Sequence, residues 1–124
     1  MGWKKRVSKM TGRRVISHLL REGVTGIASV SRTDDLVVLN LYGILPPEPV
    51  STTIVDVFAS GLPLGYRPDA SLSVPLTITT ATAPEFIPRV FISAVGVCRV
   101  NTPGSALYGV VVYRTNDPWP EEAI

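Results

Sequence analysis

Residues 24–44 read Val-Thr-Gly-Ile-Ala-Ser-Val-Ser-Arg-Thr-Asp-Asp-Leu-Val-Val-Leu-Asn-Leu-Tyr-Gly-Ile. Two apolar, β-branched stretches, 24–32 and 36–44, flank Thr33-Asp34-Asp35. Branched side chains favour the pleated surface of a sheet. Asp side chains bond nearby backbone N–H groups and so favour a turn. The segment therefore reads as a β-hairpin turning at 33–35.

The same signals continue outward. Leu45-Pro46-Pro47-Glu48-Pro49 is a stiff extended loop. Strands are expected over 51–59, 71–79, 89–95, 97–100 and 106–114. In 71–79, Leu72, Val74, Leu76 and Ile78 share one face, and Pro75 on the other marks an edge or bulged position. Asn101-Thr102-Pro103-Gly104-Ser105 is a turn. Residues 13–21 carry Val15, Ile16, Leu19 and Leu20, which fit a helical face or a short strand equally well. All eleven prolines fall between Pro46 and Pro120, and no useful helical period survives after residue 23. The expected fold is all-β: an antiparallel β-sandwich or jelly-roll-like barrel of seven or eight short strands.

Charge divides the chain differently. Residues 1–21 hold seven Lys or Arg and no acid; residues 22–124 hold five Arg and ten acids. The expected organisation is a basic N-terminal arm over 1–22 and one sandwich domain over 23–124. A nucleic-acid binder usually carries its basic stripe on the folded body, so nucleic acid is not an expected partner. The +7 arm is attracted to the −5 body of its own subunit or of a copy. It is read as an assembly element with Trp3, Lys4, Lys5 and Arg6 as its anchor, because a charge-only attachment would be screened at physiological salt.

Composition excludes several chemistries. Charged residues are 18% and hydrophobic residues 45%, too apolar for a disordered chain. No apolar run approaches the roughly 20 residues of a membrane helix. The basic start lacks the apolar stretch of a signal peptide, and Arg6 stands where a myristoylation motif wants Ser or Thr. One cysteine, Cys98, and one histidine, His18, leave no disulfide and no His/Cys zinc cluster. Cys98 alternates with apolar neighbours and reads as a buried, inert thiol. His18 reads as structural or solvated. Asp34-Asp35 reads as a turn and Glu121-Glu122 as a solvated pair. No nucleophile elbow, phosphate loop or dinucleotide fingerprint occurs. No catalytic residue, metal site or cofactor is expected.

The connector Leu62-Pro63-Leu64-Gly65-Tyr66-Arg67-Pro68 has a physical reading of its own. Pro63 fixes φ for a turn and Gly65 supplies a positive φ. Leu62 and Tyr66 then cover the end of a core. Arg67, extended because Pro68 follows, reaches toward a carboxylate or carbonyls. This makes a structural corner of Leu62, Pro63, Gly65, Tyr66, Arg67 and Pro68. Trp3, Tyr66 and Trp119 lie in loops or the arm and read as pins that hold chain ends on the body.

This connector resembles the L-P-x-G-[FY]-R-P motif of C-terminal domains in bacteriophage minor tail proteins and tail-fibre tips. Further features keep the order found there: Gly2-Trp3, Gly-Val-Thr-Gly at 23–26 leading into a strand that ends at Arg32, a very apolar strand over 36–44 before the motif, and an ending from Leu107 to Pro120 of G-x-x-V-Y-x-T-x-D-P-W-P character. The resemblance implies a non-enzymatic virion component, a minor tail or tail-tip protein involved in host attachment. It implies a homotrimer, contacts with other tail or baseplate proteins, a possible host-surface carbohydrate and location in the virion tail after synthesis in the host cytoplasm. A capsid decoration or head-fibre protein, or a small β-barrel module binding carbohydrate or nucleic acid, stand as alternatives.

Overall fold

A computed structural model describes residues 9–47, 54–78, 87–101 and 105–120. The chain folds into two antiparallel β-sheets packed as a sandwich. The strands are β1 (Arg14–Val15), β2 (Thr25–Thr33), β3 (Leu36–Leu45), β4 (Val55–Asp56), β5 (Leu72–Pro75), β6 (Thr77–Ile78), β7 (Arg89–Ile92), β8 (Cys98–Val100) and β9 (Leu107–Arg114). The larger sheet has the order β1-β2-β3-β9-β6 and the smaller one β4-β8-β7-β5.

The β2–β3 hairpin is the spine of the larger sheet. Thr33 pairs with Leu36, so Asp34 and Asp35 alone make the turn. Asp34 takes a positive φ of 52°, which Asp tolerates better than most residues. Alternation then sends Val37, Leu39 and Leu41 inward from β3 and Ala28 and Val30 inward from β2. They meet Val90, Ile92, Cys98 and Val100 of the smaller sheet in one core. Register slips at Gly26, where φ is 127°; a side chain there would lie 2.6 Å from the Gly43 carbonyl oxygen. Only glycine permits this bulge.

Two expectations need correction. Residues 9–22, read as the end of a basic arm, are built into the body. Met10 bridges Thr33, and Ile16 donates its N–H to Ala28 (2.8 Å) and is fully buried. A 3-10 turn over Ser17–Leu19 then carries the chain across to the smaller sheet, where Arg21 donates to Val57 (2.9 Å) and Leu20 bridges Phe58. The helix-or-strand ambiguity over 13–21 resolves into both, two residues of strand and one short turn. Buried Ile16 outweighs the solvated charges around it, since a few apolar contacts fix a segment that charge leaves free.

The single strand expected over 71–79 is two. Leu72–Pro75 pairs with β7 in the smaller sheet, while Thr77–Ile78 pairs with β9 in the larger. Proline has no N–H for a ladder, so Pro75 closes the edge strand β5. Leu76 then donates to the Pro88 carbonyl (2.8 Å) and the chain changes sheet. The shared face of Leu72, Val74, Leu76 and Ile78 survives this step because both sheets face the same core. Within 51–59, β4 spans Val55–Asp56, and residues 51–53 lie outside the described residues.

Candidate interaction surfaces

Arg32 continues the inward parity of Ala28 and Val30 and is only 7% exposed. A charge that close to a core needs compensation. Its guanidinium donates to four backbone carbonyls. Nε bonds Asp34 (2.6 Å), Nη1 bonds Gly65 (2.8 Å) and Pro118 (2.9 Å), and Nη2 bonds Asp117 (3.0 Å). The same group lies 5.2 Å from the centroid of the Trp119 ring, and the Lys9 ammonium lies 5.8 Å from it. Arg32 thus ties the hairpin tip, the 62–68 connector and the 117–120 segment together.

Asp117 makes the second tie. Its carboxylate accepts the backbone N–H groups of Gly65 (2.9 Å) and Arg67 (3.0 Å), and both Nε (3.1 Å) and Nη2 (3.3 Å) of Arg67. Burial works to raise its pKa, but the Arg67 guanidinium and the two N–H donors prevail and hold it below the ordinary carboxylate value. A carboxylate lowered by folding stabilises the fold above its unfolded pKa of about 3.9 and loses that contribution as pH falls through the folded value. The thermal midpoint of the wild type is therefore expected to drop more steeply below about pH 4 than that of Asp117→Asn. Acid melting curves with equal slopes would show that Asp117 carries no such linkage.

Two tyrosines share the corner but bond differently. Tyr113 donates its hydroxyl to the Tyr66 carbonyl. Burial pushes the Tyr113 phenol well above its usual pKa, so it remains a donor. Tyr66 is fully buried, and among the described residues its own hydroxyl has no hydrogen-bond partner. Tyr113→Phe orphans a carbonyl and should cost about 1–3 kcal/mol, while Tyr66→Phe should be neutral or stabilise by up to about 1 kcal/mol. Chemical denaturation of the two variants checks this asymmetry; equal losses would contradict it.

Each corner residue named from the sequence is placed by this network. Leu62 is buried and donates its N–H to Gly96 (2.8 Å) on the turn between β7 and β8. Pro63 accepts from Tyr66 N–H (3.2 Å), Gly65 has φ 105°, Arg67 pairs with Asp117, and Pro68 is buried. Sequence reasoning did not bring Arg32, Asp117 and Trp119 to this site. The available signal was Arg32 itself, a charge on the inward parity of a strand. The proposed anchor Trp3, Lys4, Lys5 and Arg6 lies outside the described residues, as does Glu121-Glu122.

The outer faces of the two sheets differ. On the larger sheet, β2, β3 and β9 turn rows of Ile27–Tyr42–Tyr108, Ser29–Asn40–Val110, Ser31–Val38–Val112 and Thr33–Leu36–Arg114 away from the core, and Arg13 covers Ser29, donating Nε to its Oγ (3.1 Å). Tyr42 and Tyr108 meet edge to face, with centroids 4.9 Å apart. On the smaller sheet one row runs Ser73–Phe91–Arg99–Asp56, with an Arg99–Asp56 ion pair of 2.9 Å. A groove of about 390 Å³ lies over Phe91, walled by Ser71, Ser73, Ser93 and Arg99.

Cys98 is buried at 1% exposure, and burial, with the Asp56 charge adding, pushes its pKa up to about 12. A thiol held protonated is a poor nucleophile. His18 is exposed on the 3-10 turn. Among the described residues, no group of three or more His, Cys, Asp or Glu could hold a metal ion. No protein-family model matches the chain, and no curated protein matches it.

Proposed function

We propose that this chain is a non-enzymatic structural component of a bacteriophage virion, a minor tail or tail-tip protein that takes part in host attachment. One observation carries the reading. Three of the stretches that carry the tail-protein resemblance are far apart in sequence: one ends at Arg32, the second is Leu62 to Pro68, and the third closes with Asp117 to Pro120. In the fold they form one hydrogen-bonded unit through Arg32 and Asp117. A chance likeness of short motifs gives no reason for the pieces to need one another. A shared architecture does, because each piece supplies the partner the next one lacks.

In this reading the protein works as a homotrimer beside other tail or baseplate proteins, and the corner is its scaffold. Host contact falls to the outer surfaces. The groove over Phe91 combines an aromatic ring, serine hydroxyls and Arg99, whose charge is balanced by Asp56 beside the groove, which suits a host-surface carbohydrate. The test is immunogold labelling of purified particles with antibody to this chain. Label at the tail tip is the expected result. Label on the capsid would assign a decoration or head-fibre role instead. Particles without label, from infected cells that contain the protein, would overturn the virion reading.

A further inference from the structure

We infer that the groove on the outer face of the smaller sheet takes an acidic sugar, a pyranose ring that bears a carboxylate. This rests on the reading of the groove as a carbohydrate site and names the class of sugar. Phe91 floors the groove and sits at the centre of that face. Ser73 and Arg99 lie beside it across the sheet. Arg89 and Ser93 lie two residues before and after it along the chain. Val90 and Ile92 between them are buried in the core, so these alternate positions face outward.

The neighbours of Phe91 offer donors more than acceptors. Ser73 Oγ accepts from Arg89 Nε (2.8 Å), and Ser93 Oγ accepts from the Val97 N–H (3.2 Å). A hydroxyl oxygen that accepts an N–H turns its own proton away from that donor, toward a further acceptor. Arg99 carries five N–H donors and no acceptor, and its bond to Asp56 uses Nε (2.9 Å). Both partners of that pair are about half exposed, at 54% and 48%, and such a pair contributes at most about 1 kcal/mol. A ligand carboxylate therefore competes with Asp56 for Arg99 at small cost. Arg89 places a second guanidinium on the same face, and its Nε and Nη2 bind Ser73, not a carboxylate. Among the described residues, the rows through Arg89 and Phe91 thus hold two positive charges and one negative.

The ligand that fits is rich in acceptors and apolar on one side. A carboxylate presents two oxygens to a guanidinium fork, and such charge-assisted bonds are about twice as strong as neutral ones. Ring and hydroxyl oxygens next to it accept the Ser73 and Ser93 protons. A pyranose also has a C–H face that lies flat on an aromatic ring such as Phe91. A neutral sugar would keep the stacking but leave the guanidinium only hydroxyls to bind. At about 390 Å³ the groove is near the lower end of the roughly 300–1,000 Å³ of small-ligand sites, which suits one or two rings at the end of a glycan.

The experiment titrates the isotope-labelled full chain with methyl β-glucuronide, methyl β-glucoside and sodium acetate in turn, and reads amide shifts by NMR. The two glycosides differ only in a carboxylate against a hydroxymethyl group. The glucuronide should shift Ser73, Phe91, Ser93 and Arg99, with a dissociation constant about 10-fold below that of the glucoside. Arg99→Gln should remove most of that preference. Asp56→Asn removes the competing carboxylate and should tighten the glucuronide about threefold. Both positions are exposed, so the circular dichroism of either variant should match the wild type. Phe91→Leu keeps an apolar side chain but loses the ring, and should weaken both glycosides alike. Equal constants for the two glycosides overturn the acidic assignment and leave a carbohydrate site standing. Acetate shifts as large as those of the glucuronide would show an adventitious ion only, and overturn it. So would an Asp56→Asn variant that binds the glucuronide more weakly. A groove that responds to neither glycoside is no sugar site, even where antibody labels the tail tip.

Discussion

Arg32→Met is expected to lower stability by about 3 kcal/mol or more, the largest loss from any single side chain at the corner. Methionine fills a similar volume and keeps the apolar stem, so the loss isolates the guanidinium. That group satisfies the carbonyls of Asp34, Gly65, Asp117 and Pro118, and its Gly65 bond is fully buried. Each buried acceptor left empty costs about 1–3 kcal/mol. Arg32→Lys should recover less than half of this, because one ammonium cannot span four acceptors that a planar fork reaches at once. A loss of that size is a large part of the 5–15 kcal/mol that holds a domain folded. The 115–120 segment should fail first, since Arg32 holds both Asp117 and Pro118. Limited proteolysis should cut there in Arg32→Met under conditions that leave the wild type whole. A melting temperature within a degree or two of the wild type would show that the carbonyls find other partners.

The residues at this corner separate what a sequence displays from what it hides. Alternation along 24–44 is visible because each residue's burial follows from its own parity. The partners of Arg32 are backbone carbonyls, and every residue type carries one, so no pattern advertises them. Asp117 meets Arg67 across fifty residues of chain, and nothing in either neighbourhood selects the other. Yet Arg32 shares the inward parity of Ala28 and Val30, and a charge in that position already demands acceptors at the end of the core.

The same logic explains the corrections. The charges of residues 9–21 dominate their composition and hide how much one side chain, Ile16, decides. In 71–79 the apolar period runs unbroken across Pro75, although the ladder beneath it changes sheets. Side-chain parity reports the core, and in a sandwich the core is common to both sheets. The outer face was half visible. Strands β3 and β9 are apolar at both parities, as Val37-Val38-Leu39 and Val110-Val111-Val112 show, and strands of that kind are usually covered on both sides. Parity does not say which of the two faces packs on the other sheet; the core does.

Gly65→Ala is expected to cost about 3 kcal/mol from one methyl group, by two separable routes. The first is the backbone. Gly65 has φ 105°, a region that residues with a Cβ rarely enter. The second is contact. A Cβ there would lie 2.5 Å from Pro120 Cβ and 2.9 Å from Pro120 Cα. Pro120 is buried and its ring is rigid, so it cannot turn aside as a flexible side chain would. Something must shift, and the 117–120 segment is held to Gly65 by both the Gly65 N–H and its carbonyl, the latter through Arg32. Displacing Pro120 therefore strains the Asp117 and Arg32 bonds together. Pro120→Gly removes the clashing Cβ but leaves the φ of residue 65 unchanged. In a double-mutant cycle, the loss from Gly65→Ala should be smaller in the Pro120→Gly background by the size of the contact. What remains is the backbone strain and the approach of 2.9 Å to the Cα of residue 120. If Gly65→Ala costs the same in both backgrounds, packing against Pro120 is not what the glycine is there to permit.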